Sequence, residues 1–334
     1  MILRPTPVAV ATFAISAVAI AAFMATPVAA QDVEAFVNTL NSISGKQAAG
    51  QRASHAKGQC VKGTYTAAAA AAAVTKALAY DKAVPVVGRF SIGGGNPKIA
   101  DTTKAAVRGF AFKLDVDGKQ TNEFVFVNAP VHFAATFDQM YGFVQARVPG
   151  ADGKMDPAKI KAFGDANPGT KAQGAYLASK PLPASYAGVN YWGIHGYQAT
   201  GKAGEKSLIK FKLVPAAEAG LTDDEAKAKP ADFLVAELTE RLAKGPATFT
   251  LVAIPGQPGD KTDDLTKQWD GEDARKTITL GTLALSAIEP NATCDAGIFD
   301  PTNIATGLAA SPDDTLFAPR SPSYAISLSR RAGN

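Results

Sequence analysis

Six stretches of the chain carry the alternating or β-rich pattern of strands with a buried face. They are residues 84–91, 107–116, 123–133, 207–214, 247–254 and 277–285. Asp117-Gly118 falls between the second and third, as a two-residue hairpin turn requires, and Pro130 interrupts the third. The spacing changes to that of a helix over residues 32–43, where Val33, Phe36, Val37 and Leu40 share one face. Residues 223–242 repeat it with Phe233, Leu234, Leu238 and Leu242, and Pro230 forces a break or a fresh start there. Short helices are predicted at 157–163 and 174–179. The alanine-rich residues 67–78 are compatible with loop or helix, and the Pro-, Gly- and Asp-rich residues 256–270 form a loop. The strand candidates follow one another without regular βαβ spacing, which predicts an α+β fold with an antiparallel barrel or large sheet and helices around it. No internal repeat is visible, and residues 31–334 read as one domain.

Residues 1–30 stand apart. Arg4 is their sole charge, an apolar run spans residues 8–24, and Ala29-Ala30 closes the segment with small side chains. That order predicts an export signal cleaved near Ala30, with an uncleaved anchor as the alternative, and places the mature chain in the periplasm. No second apolar run of membrane length follows, so no stable membrane insertion is expected after cleavage. An exported chain permits a disulfide between Cys60 and Cys294, and two separate buried cysteines fit as well.

Composition narrows the chemistry. Of 334 residues, 46% are apolar and 19% charged, which is the balance of a packed globular protein. The net charge of +4 is too small to suggest nucleic acid as partner. Two cysteines exclude a thiolate cluster, and the three histidines, His55, His132 and His195, are too far apart in sequence for a compact metal motif. His55 lies among small residues in Arg52-Ala53-Ser54-His55-Ala56-Lys57-Gly58, which is unusual for a packed core; His132 and His195 fit hydrogen-bonded structural roles. Near the C-terminus Arg320 and Tyr324 are four apart, so on a helix they share a face, and Pro322 requires that helix to begin near Ser321. A guanidinium beside a phenol oxygen favours the phenolate, a competent axial ligand for ferric haem.

Taken together and in order, these segments resemble the haem catalases, specifically the short catalase-related peroxidases. The segment 52–58 is similar to the family's distal segment, with His55 as distal histidine and Arg52 near a haem propionate. Val87-Gly88-Arg89-Phe90-Ser91 matches the strand whose arginine meets a propionate and whose hydroxyl bonds the distal histidine, and Arg108-Gly109-Phe110-Ala111-Phe112-Lys113 matches the next strand. Asn128-Ala129-Pro130-Val131-His132-Phe133 supplies the distal asparagine, Asn128, and a haem-packing phenylalanine, Phe133. Phe299-Asp300-Pro301 resembles the stretch before the proximal helix, Arg320 and Tyr324 fall on the proximal arginine and tyrosinate, and Arg331 on a further propionate-side arginine.

The resemblance implies a catalase-like antiparallel β-barrel core with surrounding helices, lacking the wrapping and C-terminal helical domains of long catalases. It implies haem b (iron protoporphyrin IX) with Tyr324 as the iron ligand, His55, Asn128 and Ser91 as catalytic residues, and Arg52, Arg89, Phe133, Arg320, Tyr324 and Arg331 around the cofactor. The expected activity is reduction of hydrogen peroxide by a small organic electron donor, with weak catalase activity, in a monomer or dimer. The alternatives are a catalase-fold protein acting on lipid hydroperoxides and a non-catalytic haem binder. The match is incomplete: no aromatic follows Arg320, no aspartate follows Tyr324, and Gln59-Cys60 stand where small residues are usual.

Overall fold

Strand pairing follows chain order in the computed structural model, which describes residues 30–43 and 50–333. Eight strands run β1 (Gly58–Ala67), β2 (Val84–Ile92), β3 (Arg108–Val116), β4 (Lys119–Val127), β5 (Tyr191–Thr200), β6 (Lys206–Pro215), β7 (Ala247–Pro255) and β8 (Ile278–Ile288). Each is antiparallel to the next, and β8 returns to β1, so the sheet closes into an up-and-down barrel. A short strand, β9 (Leu308–Ala310), adds to the outside edge of β5. The β3–β4 hairpin turns through Asp117 and Gly118, both at positive φ (53° and 77°), the backbone a tight turn between twisted strands needs.

Period two decides what is inside. On β2 to β4, Phe90, Phe110, Phe112, Phe124 and Phe126 all point into the barrel and are fully buried or nearly so. Phe90 stacks on Phe110 with centroids 4.2 Å apart, and Phe110 on Phe249 at 6.0 Å. The barrel is therefore packed solid, and its outward-facing residues, among them Arg89, Ser91 and Gly109, are left for chemistry on the outer wall.

Helices cover that wall: α1 (Ala30–Ile43), α2 (Phe137–Gln145), α3 (Pro157–Ala166), α4 (Ala172–Ser179), α5 (Asp223–Ala228), α6 (Phe233–Lys244), α7 (Asn291–Asp295) and α8 (Arg320–Arg331). The break expected at Pro230 separates α5 from α6. The apolar face expected on residues 32–43 is buried, with Val33, Phe36 and Val37 packed beside α2 and α8. Among the described residues no helix is long and apolar enough to cross a membrane. The leader read at residues 1–30 lies, apart from Ala30, outside the described residues.

Three readings change. The third strand ends at Val127 rather than Phe133: the Asn128 side-chain oxygen takes the Arg108 amide at 2.7 Å, and Pro130 has no N–H to continue a ladder. β1 and β5 are strands that the pattern did not reveal, because glycines and charged or polar residues break their alternation. Of the two alternatives for the cysteines, the structure has the disulfide, Cys60 on β1 bonded to Cys294 on α7.

Candidate active site

His55 sits on the short segment that enters β1. Its backbone is left-handed, with φ of 54°, a strained conformation for a residue with a side chain. Arg89 on β2 holds it there by donating to the His55 carbonyl at 2.8 Å and the Ala56 carbonyl at 3.0 Å. Lys57 anchors the same segment from the other side, 2.6 Å from buried Asp101 and bonded to the Ile99 and Ala231 carbonyls. The His55 ring then meets Ser91, whose hydroxyl lies 2.9 Å from Nδ1. Gly109 on β3 leaves room for this pair: a Cβ there would come within 2.8 Å of Ser91 Oγ and 3.0 Å of the imidazole. Burial, then the charges of Arg89, Arg320 and Arg52, pull the imidazole down to about 4, so His55 is neutral at pH 7. With Nδ1 facing Ser91, Nε2 is the nitrogen it can offer to a reactant.

Across the cavity lies α8. It opens at Arg320 with Pro322 in its first turn, where a missing N–H costs nothing. Arg320 reaches the Tyr324 oxygen one turn on at 2.5 Å and His195 Nε2 at 2.8 Å. A guanidinium only donates, so His195 Nε2 must accept and Nδ1 must carry the proton, which it gives to Asp314 at 2.5 Å. Burial outweighs the pull of Asp314 and keeps His195 below its ordinary value, consistent with a neutral ring. Burial also lowers Arg320, but the Tyr324 oxygen, with Tyr197 and Asp314, outweighs that and leaves it above the usual guanidinium range. Asp314, His195, Arg320 and Tyr324 thus form one hydrogen-bonded line ending at a phenol oxygen on the cavity wall. His195 reaches it because β5 bulges: Gly193 pairs with Phe211 and Tyr197 with Ile209, so Ile194 and His195 loop outward.

A third group gathers at one edge. Arg52 bonds Asp295 at 3.0 Å and the Cys294 carbonyl at 2.8 Å, and Arg331 donates to the carbonyls of Asp295 and Gly297. Arg89 Nε is buried without a hydrogen bond, with Asp295 at 3.9 Å. Burial, followed by the neighbouring Arg52 charge, brings both Arg89 and Arg331 down to about 10. Three guanidiniums against one carboxylate make an edge that calls for more negative charge. The remaining walls are mostly apolar, with Phe36, Val37 and Leu40 of α1, Met140 of α2, and Phe133, whose ring lies tilted against Phe143 with centroids 4.6 Å apart. The cavity, partly open to the outside, measures about 250 Å³. An apolar slot with an imidazole on one side, a phenol oxygen on the other and cations at one edge fits an iron porphyrin bearing two carboxylates.

A sequence model of the catalase family matches residues 17–334. The chain is 36% identical over 287 residues to a catalase-related peroxidase of Synechococcus elongatus, covering 84% of each. It is 31% identical over 289 residues to one of Mycolicibacterium paratuberculosis, covering 85% of this chain and 90% of that one. The chain belongs to the catalase family. Within it, the chain groups with the catalase-related peroxidases, and it is an oxidoreductase of the catalase superfamily. Solved catalases share the fold: a fungal one superposes with a TM-score of 0.75 at 24% identity, covering 86% of this chain and 61% of that one. A bacterial one gives 0.76 at 23%, covering 86% and 58%. The chain spans about three-fifths of the length of these solved catalases.

Of the residues expected at the site, Arg52, His55, Arg89, Ser91, Phe133, Arg320, Tyr324 and Arg331 line this cavity. Asn128 is set one step back from the wall, its oxygen engaged by the Arg108 amide. His195 and His132, read as structural, also line the cavity. His195 belongs to the Arg320–Tyr324 line, and its partner Asp314 is 119 residues away in sequence, so no local motif marks it. His132 rests with Nδ1 3.1 Å from the Ala134 carbonyl. Among the described residues no group of three or more His, Cys, Asp or Glu is placed to hold a bare metal ion.

Proposed function

We propose that this chain is a haem-dependent peroxidase that reduces hydrogen peroxide at the expense of a small organic electron donor. The observation that carries the reading is the pairing, across one apolar cavity, of a neutral His55 braced by Ser91 with a Tyr324 oxygen held by Arg320. Haem, when bound, supplies the redox chemistry. Tyr324 is the residue that would ligate its iron, Arg320 donates to its oxygen, and His195, backed by Asp314, fixes the guanidinium. Arg52, Arg89 and Arg331 would take its carboxylates, replacing part of their present pairing with Asp295.

His55 does the proton work. Nε2 of the neutral ring accepts a proton from one oxygen of hydrogen peroxide and returns it to the other as the O–O bond breaks, so that the departing oxygen leaves as water; over the full turnover two electrons and two protons from the donor convert the remaining oxygen into a second water. Ser91 keeps the ring at one tilt through both transfers. Asn128 stands behind the cavity wall, its oxygen accepting from the Arg108 amide.

A second reading draws on the apolar residues of α1. Phe36, Val37 and Leu40 give the cavity a wall suited to an alkyl chain, which favours lipid hydroperoxides as substrates. Peroxide consumption by reconstituted protein, with hydrogen peroxide against a fatty-acid hydroperoxide and with and without an organic donor, separates the two. Donor-dependent loss of hydrogen peroxide is the expected result; turnover of the lipid hydroperoxide alone would favour the second. We place the protein in the periplasm, a reading supported by the pattern of residues 1–30 and by the disulfide.

A further inference from the structure

The arginine edge of the cavity is backed by α7, which Asn291 ties to β1 at its start, by accepting from the Cys60 amide and donating to the Gly58 carbonyl, and the disulfide ties near its end. α7 has five residues, too few to be stable alone, yet residues 294–297 accept hydrogen bonds from both Arg52 and Arg331. Arg52 meets the Cys294 carbonyl and the Asp295 carboxylate; Arg331 meets the carbonyls of Asp295 and Gly297. Arg89, on β2, lies opposite Cys60 in the β1–β2 register. The disulfide joins these two sides: Cys60 is fully buried on β1, and Cys294 is buried at the start of the contacted segment. Both cysteines pack against Phe299, which lines the cavity.

We propose that the Cys60–Cys294 disulfide is a positioning element for the carboxylate-binding arginines, tying the carbonyls and carboxylate that aim Arg52 and Arg331 to the strand beside Arg89. The inference rests on the cofactor reading above. Its physical content is preorganisation: without the bond, Asn291 still holds the start of α7 to β1, but residues 294–297 lose their own covalent tie, and ordering them as the arginines engage a carboxylate costs affinity. The effect is specific to the ligand's carboxylates.

The test compares ferric protoporphyrin IX with its dimethyl ester, which keeps ring and iron and has no carboxylate. Each is titrated, by optical absorbance, into cofactor-free wild type and into the Cys60→Ser, Cys294→Ser double variant. Loss of the disulfide is expected to weaken the free acid by about tenfold or more and the ester by less than about twofold. Equal weakening of both would assign the bond a general structural role and overturn the proposal, as would no change in either. Uptake of neither porphyrin by wild type would overturn the cofactor reading itself, a distinct result. If the double variant does not fold, wild type opened with a phosphine reductant, its thiols counted and its fold checked by circular dichroism, gives the same comparison.

Discussion

At the scale of single residues, His55 combines a strained backbone, an imidazole braced by Ser91 and a proton affinity far below that of a free histidine. His55→Gln keeps a polar group of similar reach and removes the base. It is expected to slow the reaction of the loaded protein with hydrogen peroxide by about 10²–10⁴-fold, read by stopped-flow absorbance, with cofactor content unchanged. The same burial makes a prediction for the cofactor-free chain. Its folded-state value of about 4 lies below the ordinary 6.5, so between those pH values the unfolded chain takes up a proton that the folded chain refuses. Stability from this group is complete above about pH 6.5 and is lost as pH falls toward 4; His132, pushed down to about 3 mainly by burial, acts in the same direction. Urea midpoints should therefore drop between pH 7 and pH 4.5, and by less in His55→Gln; an equal drop in both would contradict the assignment.

At the scale of elements, the outer face of the barrel is shaped by what is missing from it. Gly109 on β3 faces the His55–Ser91 pair, so Gly109→Ala must displace one of them. Peroxide reactivity should fall while cofactor uptake, which depends on α8 and the arginine edge, stays within about twofold. On the inner face of the same strand Phe110 stacks on Phe90 and Phe249, and Phe110→Ala should cost about 3–5 kcal/mol in denaturant unfolding. Here the sequence was most readable. The strands carrying Phe90, Phe110 and Phe124 have clean alternation, and the pairing of Arg320 with Tyr324 follows from a spacing of four on a helix that Pro322 obliges to start there. β1 and β5 were not readable for the opposite reason. Gly58, beside the Arg89 guanidinium, and Gly63, beside the β8 backbone, break the alternation in one, and the bulge at Ile194 and His195 that brings His195 to Arg320 breaks it in the other.

The whole molecule closes long loops. The disulfide joins residues 234 apart in sequence, and removing it should lower stability by about 2–5 kcal/mol, seen as a reduced denaturant midpoint in the Cys60→Ser, Cys294→Ser variant. Such pairings are what a single sequence conceals. Cys60 with Cys294, and His195 with Asp314, are brought together by barrel closure and by the return of the chain beside β5, so neither has a local signature. The distal and proximal segments were legible because each carries its residues within a few positions, whereas the line that steadies Arg320 was not. The central claim is that the cavity between His55 and Tyr324 holds haem and turns over peroxide with a donor. The most direct measurement is made on the protein loaded with haem: its optical spectrum, followed by hydrogen peroxide consumption and oxygen release with and without an organic donor, beside Tyr324→Phe. A high-spin ferric spectrum altered in Tyr324→Phe, with donor-dependent consumption and little oxygen, is the predicted result. No haem uptake by the wild-type chain, or rapid oxygen release without a donor, would contradict it.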